Sequence, residues 1–553
     1  MFKSFFNSQS KTIAVAAVIL GAASLVSRLL GLFRDRILAG QFGAGDELDI
    51  YYAAFRMPDL VYSLLVLGAI SAGFIPVFIQ YLQKDKKQSW HLANSVLNLM
   101  ALSLIVICAL LIILTPWIIR LVAPGFSSEK LSLTVQLTRI MFLSPFFLGL
   151  SAVFGGILQS FRRFLIYALA PIMYNLGIIF GALVLVNYFG LMGLAYGVVL
   201  GAFCHMLIQI PSACFCGFRW RPVFDFKFEG VQRIFKLMLP RVLSLGLSQI
   251  NFWVMTVFAS FLVVGSIAVY NLAHNIWSFP LGIFGISFVL AAFPKLSQTA
   301  QKKDISGFVK TFSLTLRQIL FFTLPSAALF IILRAQIVRV ILGTGCFNWQ
   351  DTILTFQTLA YFSISLFAEA LILLFLRGFF AWEDARTPFL IGLLATVVRL
   401  PAAWLLSRSL GVPGLALGFS LGSIFYLFLL FVALRKKIAD YSSSGVPTLR
   451  QGGVKGLDEK NIFVSGTKMI IASFLAALTA YLALQFLASL VNTATGLGLL
   501  IQGGLAGIAG LLIYFFFAWL FRLDELKLFL SSLFSRLPGK KLPQVGIDEA
   551  NNR

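Results

Sequence analysis

Apolar stretches of about 20 residues recur along the whole chain, separated by short polar or charged breaks. Each stretch is long enough to carry an α-helix across the hydrocarbon core, and their number predicts an all-α integral membrane protein with about fourteen spanning helices. The spans are expected near 12–41, 49–82, 91–121, 131–161, 166–188, 192–215, 231–262, 266–298, 307–333, 351–380, 386–408, 413–434, 466–490 and 497–521.

The polar breaks set an orientation. With both termini cytoplasmic, the cytoplasmic loops carry Lys84, Lys86 and Lys87, Arg162 and Arg163, Arg219, Arg221 and Lys227, Lys295, Lys302 and Lys303, and Arg435, Lys436 and Lys437. The outward connections near 187–192, 263–266 and 491–496 carry no lysine or arginine, and the first outward loop is acidic, with Asp46, Glu47 and Asp49. This asymmetry obeys the positive-inside rule and fits an even number of spans.

The pattern also repeats. Gly190-x-x-Gly193-Leu194-Ala195-x-Gly197-x-x-Leu200-Gly201 returns as Gly411-x-x-Gly414-Leu415-Ala416-x-Gly418-x-x-Leu421-Gly422, an offset of 221 (411 − 190). Phe126, Thr134 and Gln136 return at that offset as Phe347, Thr355 and Gln357, while Tyr52 and Pro76 match Tyr270 and Pro294 at 218 (270 − 52). Six spans followed by six similar spans predict two parallel bundles, residues 1–217 and 218–435, in a transporter architecture with the substrate site between bundles. A polar linker at 436–465 and two further spans within 466–522 have no counterpart in the repeat. Gly503-x-x-x-Gly507 in the last span would permit close helix packing. The tail, 523–553, begins with an amphipathic stretch from Leu523 to Leu537 that is expected on the cytoplasmic leaflet or as a frayed end.

Composition agrees: 59% of residues are hydrophobic, 12% charged, and mean hydropathy is +0.92. The net charge of +23 is of the kind that membrane proteins usually carry in cytoplasmic loops and does not imply nucleic-acid binding. The first span is long, charged and followed by many more, unlike a cleaved signal. Cys108, Cys204, Cys214, Cys216 and Cys346 have no histidine at metal-ligand spacing and read as inert buried thiols. There is no phosphate loop, no H-E-x-x-H and no catalytic constellation. No enzyme activity, cofactor or metal is expected.

Charge inside the membrane is what carries chemistry. Ser27-Arg28-Leu29-Leu30-Gly31-Leu32-Phe33-Arg34-Asp35-Arg36 places three arginines and an aspartate in, or at the end of, the first span. Each such charge costs about 2.5–3.5 kcal/mol at a helix centre, so a water-filled path or a charged ligand must compensate. A guanidinium stays protonated and binds phosphate oxygens in bidentate fashion, which suits capture of a pyrophosphate. Arg56 and Asp59 flank Pro58 in the second span. Arg241, His274 and Asn275 lie in the second half. Arg28, Arg34, Arg56, Asp59, Arg241, His274 and Asn275 are therefore candidate cavity residues. Ser27, Asp35, Asp49, Glu369 and Arg377 are candidates for gating or ion pairing. Structural pairs such as Arg28–Asp35 and Arg56–Asp59, a packing role for His274, and an ion pair or proton-coupling role for Glu369 are the competing readings.

Ordered motifs then narrow the reading. They are Ser27-Arg28-x-x-Gly31-x-x-Arg34-Asp35, Phe42-Gly43-Ala44-Gly45 with Asp49, Arg56-x-Pro58-Asp59-Leu60, Gly68-Ala69-x-Ser71-x-x-Phe74-x-Pro76 and Ala123-Pro124-Gly125-Phe126 with Leu137-Thr138-Arg139-Ile140-Met141-Phe142. Ser248-Gln249-Ile250-Asn251, Phe279-Pro280-x-Gly282 and Arg377-x-Phe379-Phe380-Ala381-x-x-Asp384-x-Arg386-Thr387-Pro388 follow in the second half. Together they resemble the MurJ (MviN) family of lipid II flippases, within the multidrug/oligosaccharidyl-lipid/polysaccharide exporter superfamily, over nearly the whole chain. The resemblance implies a protein of the bacterial cytoplasmic (inner) membrane. It would move lipid II, an undecaprenyl-pyrophosphate carrying the disaccharide-pentapeptide, to the outer leaflet for peptidoglycan synthesis. It implies arginines that hold the pyrophosphate, a groove beside the last two spans for the polyprenyl tail, membrane lipids as neighbours and cell-wall synthesis machinery as a partner. Arg28 and Arg34 match the family directly. Tyr62 and Asn275 stand where relatives often carry arginine, and Met255 where some carry an acid, so a sodium site there is not expected. A flippase for another polyprenyl-pyrophosphate glycan is the alternative, with a multidrug antiporter behind it.

Overall fold

The computed structural model describes residues 13–67, 73–443 and 456–534. Every regular element among them is helical. The first six long helical segments are α1 (Ile13–Phe42), α2 (Asp46–Val61, resumed at Ile75–Lys84), α3 (Lys86–Val122), α4 (Ser128–Ser160), α5 (Phe164–Phe189) and α6 (Met192–Phe215). The next six are α7 (Glu229–Ser260), α8 (Ser266–Gln301), α9 (Ile305–Ile332), α10 (Trp349–Ile364 and Leu366–Ala381), α11 (Arg386–Leu410) and α12 (Val412–Ser443). Then come α13 (Glu459–Ala488), α14 (Gly496–Leu520) and the shorter α15 (Asp524–Phe534). Among the described residues, ten helices are long and apolar enough to cross a membrane, eleven if the two parts of α10, bent by 43°, form one span. α1, α2 and α7 occupy the other expected positions. Large apolar side chains such as Ile113, Leu121, Phe474 and Leu512 are exposed, as a lipid-facing surface requires.

The repeat is written into backbone details. Arg162 and Glu383, which correspond at the 221 offset, both adopt positive φ, 58° and 57°. Gly190 and Gly411 do the same, at 55° and 66°. A Cβ on Gly193 would strike the backbone of Leu185, and one on Gly414 the backbone of Leu406, again 221 apart. π-helical turns interrupt α2 at Tyr62–Leu67 and α8 at Leu281–Gly285, repeat-related positions at the 218 offset. Such turns widen a helix locally and are frequent at functional sites.

The chain packs as two compact units. One comprises Met1–Ile276, Val338–Thr358 and Gly392–Phe419. Its cores include Phe74, Phe78, Leu92, Val153 and Ile157, and, separately, Met57, Leu104, Ile119 and Phe142. The other comprises Trp277–Ile337, Leu359–Ile391 and Ser420–Arg553. Its main core gathers Phe308, Phe312, Phe321, Phe375 and Phe379 with Met469 and Tyr514 from α13 and α14.

Several expectations change. α12 runs on to Ser443, into the stretch read as linker, because Leu434 and Ile438 bury into the core of its unit while Lys437 pairs with Asp384 at 2.6 Å. Residues 444–455 lie outside the described residues, as do 68–72 of the Gly68 motif and 535–553 of the tail. α15 does not lie free: Leu523 and Leu526 enter the same core, and buried Glu525 accepts from Arg317 at 2.8 Å. The Gly503 motif does meet close neighbours, with Gly503 against Gln336 and Gly507 against Leu333. Only Cys108 of the five thiols is buried; Cys214 and Cys346 are exposed, because each sits at a helix end or in a loop.

Candidate functional site

Two turns of α1 separate Ser27 from Arg34, so both project from one face. Asn175 of α5 joins them: its amide donates to Ser27 O at 3.3 Å and Ser27 Oγ at 3.4 Å, and its Oδ1 accepts from Arg34 Nη1 at 3.2 Å. Arg34 also donates to the neighbouring carboxylate, with Nε and Nη2 at 3.0 and 2.8 Å from Asp35 Oδ1. The second oxygen of Asp35 accepts from Asn275 of α8 at 2.8 Å. Asp35 is thus fully buried yet satisfied at both oxygens. Tyr51 and Tyr52 of α2 lie within electrostatic range of this pair.

Arg28, a turn and a half earlier, differs. It is half-buried and has no hydrogen bond or ion pair among the described residues. The Arg28–Asp35 pair, one of the competing readings, is not made; Arg34 and Asn275 take the two oxygens of Asp35.

Arg56 forms the second cationic point. Its Nε donates to Thr256 Oγ1 of α7 at 2.7 Å, its Nη2 to Asn271 Oδ1 of α8 at 2.6 Å, and its guanidinium lies 5.6 Å from the centre of the Phe252 ring. Asp59 interacts with Arg56 through charge alone; its solvent-reachable carboxylate has no hydrogen bond among the described residues. His274 stands edge-on to Phe252 at 4.9 Å and to Phe419 at 6.4 Å, which is a packing position beside Arg56. The side chain of Arg241 lies outside the described residues. Tyr62 opens the π-helical turn of α2 within electrostatic range of Asp59, and Met255 is buried.

The structure therefore gathers Ser27, Arg28, Arg34, Asp35, Arg56, Asp59, His274 and Asn275 in one compact unit. Glu369 and Arg377 belong to the other unit. Glu369 accepts from Ser423 Oγ at 2.5 Å, and Arg377 lies 4.9 Å from the Phe293 ring. Asn175, Thr256 and Asn271 are site residues that the sequence did not single out. A neutral amide or hydroxyl in an apolar run costs little and gives no charge signal.

Asp49 has a separate task where α1 passes to α2. Its oxygens accept from the backbone N–H of Gly265 at 2.8 Å and Ala268 at 2.9 Å, which caps the N-terminus of α8, and Lys130 approaches at 3.4 Å. A carboxylate there complements both the unpaired amides and the helix dipole. Gly265, at φ 86°, is required: a Cβ would overlap Ala44 O. Asp351 of α10 mirrors this by accepting from Ala44 N at 3.1 Å, and the Cys346 N–H donates to Gly40 O at 2.8 Å. Arg36 also proves structural, because its Nη1 donates to Val340 O at 2.5 Å at the end of the short helix Arg334–Ile341.

The arrangement can bind an anion. Arg34 lies against Asp35 and Arg56 within electrostatic range of Asp59, Arg28 has no acid partner among the described residues, and groups of three histidine, cysteine or acidic residues able to hold a metal are absent among the described residues. An all-helical, multi-pass membrane protein with repeated halves and a cationic intramembrane cluster belongs to the class of transporters. Residues 38–509 match the family model described as Lipid II flippase MurJ, and the chain belongs to that family. It is 30% identical to the probable lipid II flippase MurJ of Rickettsia prowazekii (strain Madrid E) over 441 residues, 79% of this chain and 86% of the relative. The corresponding protein of Rhizobium tropici is 30% identical, covering 76% and 80%. Among solved structures, a lipid II flippase MurJ in an inward closed conformation aligns with a TM-score of 0.74 at 24% identity, over 92% of this chain and 99% of that one. An inward-facing multidrug resistance MATE family transporter of the MOP superfamily shares the fold, with a TM-score of 0.64 at 15% identity, over 78% and 100%. The chain is thus a multi-pass inner-membrane transporter and not an enzyme.

Proposed function

We propose that this chain carries lipid II from the cytoplasmic to the outer leaflet by alternating access, with Arg28 and Arg34 holding the pyrophosphate. Membership of the family supports the cargo. The observation that supports the site is Arg28: a half-buried guanidinium on the same helix as the Ser27–Asn175–Arg34–Asp35 network, without an acid of its own among the described residues. A pyrophosphate supplies the charge that Arg28 lacks, and bidentate geometry favours it over a monovalent anion. Arg56, with its neighbours Asp59 and His274, would receive the sugar-bearing side of the head group. Asn275 would act as a positioning residue, holding Asp35 against Arg34.

Both termini lie on the cytoplasmic side in this reading, with fourteen crossings arranged as bundles 1–217 and 218–435 plus the last pair. The Asp49 and Asp351 contacts then form the outward closure. The family match continues past the twelve-helix repeat to residue 509, which favours lipid II over the cargo of twelve-helix exporters.

Complementation tests the proposal. A bacterium depleted of its own lipid II flippase should be rescued by this chain and not by a normally inserted Arg28→Ala variant. A well-inserted chain that fails to rescue would redirect the reading to another polyprenyl-pyrophosphate cargo.

A further inference from the structure

A cavity of about 790 Å³ opens in the first unit between α3, α4 and α6, and none of Arg28, Arg34 and Arg56 lines it. Its walls are apolar, including Leu102, Ile105, Leu150, Phe154 and Met206. One end is different. There the segment after α6 crosses its mouth, and Arg219, Trp220 and Phe224 from that segment line it.

This strap is built, not loose. Asn94 and Asn98, one turn apart on α3 and both buried, spend their amides on it. Asn94 donates to Arg219 O at 3.1 Å and accepts from Arg221 N at 2.7 Å. Asn98 donates to Arg221 O at 2.7 Å and Val223 O at 3.0 Å, and accepts from the Trp220 indole at 3.0 Å. Four hydrogen bonds from two side chains therefore fix the backbone from 219 to 223, and a fifth holds the Trp220 indole. The side chains of Arg219 and Arg221 stay exposed, with no acid partner among the described residues. The strap's own carboxylate, Asp225, is engaged by His91 at 3.1 Å and by the N–H groups of Lys227 and Phe228.

We infer that this groove is a binding site for an anionic phospholipid, one acyl chain lying between α3, α4 and α6 and the headgroup phosphate meeting Arg219 and Arg221. Charge complementarity selects the occupant. Exposed cations on a fixed backbone, Arg219 lining the end of the apolar groove and Arg221 two residues on, match a negative headgroup on an apolar chain, and an exposed Trp220 marks the interfacial depth. The volume lies within the range of small-molecule sites. The inner leaflet as the source of the lipid rests on the orientation proposed above; the headgroup preference does not.

The purified full chain in detergent provides the test, because exposed Cys214 lines the groove. Its alkylation rate, read at its own peptide, would be followed against phosphatidylglycerol and against phosphatidylcholine of the same acyl chains. Two cations at about 1 kcal/mol each predict half-protection by phosphatidylglycerol at a roughly thirtyfold lower concentration. Arg219→Gln/Arg221→Gln should erase that difference while leaving protection by phosphatidylcholine unchanged. Ala101→Phe should fill the groove and abolish protection by both lipids. Equal protection by the two lipids in the wild type would overturn the proposal in favour of passing annular lipid. Displacement of phosphatidylglycerol by lipid II at Cys214 would overturn it in favour of the substrate's own chain. Lipid II binding measured in the same samples keeps the two readings apart, since its absence with lipid protection intact counts against the flippase reading alone.

Discussion

Asn275 donates to Oδ2 of Asp35 at 2.8 Å while Arg34 holds Oδ1 at 2.8 Å, so one carboxylate joins α1 to α8. Breaking either side has a different consequence. Asn275→Ala leaves a buried carboxylate oxygen unsatisfied and should cost about 1–3 kcal/mol. Asn275→Arg places a cation at the same oxygen and should retain transport. Thermal unfolding in detergent, beside complementation, distinguishes the two variants.

Arg28 and Arg34 should separate in the same assays. Arg34→Ala strands the buried Asp35, an unpaired charge worth about 3 kcal/mol, and should lower both folded yield and transport. Arg28→Ala breaks no ion pair, so folded yield should hold while transport is lost. An Arg34→Gln/Asp35→Asn double variant should recover yield without transport.

Asp49→Ala should loosen the closure at the start of α8, at about 1–2 kcal/mol for a lost cap. Cys346, bonded through its backbone to Gly40 nearby, reports the change. Its labelling by a membrane-impermeant maleimide should quicken in the variant.

The same reagent tests orientation on intact cells. Cys346 and Cys214 are both exposed, and the proposed topology places them on opposite faces. Cys346 should label from outside and Cys214 only after permeabilisation.

Asp384 gives a pH prediction. Burial works to raise its carboxyl, but Lys437 at 2.6 Å and Thr387, through its backbone N–H and hydroxyl, outweigh it and hold the group below its usual value. A depressed carboxylate stabilises the folded state above its unfolded pKa, about 3.9, and loses that contribution as pH falls through the folded value. Melting temperature should be flat near neutrality and fall below about pH 4. The part of that fall due to this group should vanish in Asp384→Asn.

Charged residues were legible in the apolar sequence because each is costly there. Arg28, Arg34, Asp35 and Arg56 announced a site by their position alone. Their partners were not, since Asn175, Thr256 and Asn271 belong to residue types that helices tolerate anywhere. His274 was singled out by its type alone, and only the structure shows its ring edge-on to Phe252 and Phe419 beside Arg56.

Hydrophobic run length and loop charge by themselves determined a helical, multi-pass membrane protein, and the glycine pattern determined its repeat. Those properties depend on the thickness of a bilayer and on close backbone approach, which act locally along the chain. Tertiary structure alone decided which arginine is paired. Asp35 has two oxygens and several cations within reach in sequence, and only the placement of α5 and α8 gives those oxygens to Arg34 and Asn275 and leaves Arg28 open.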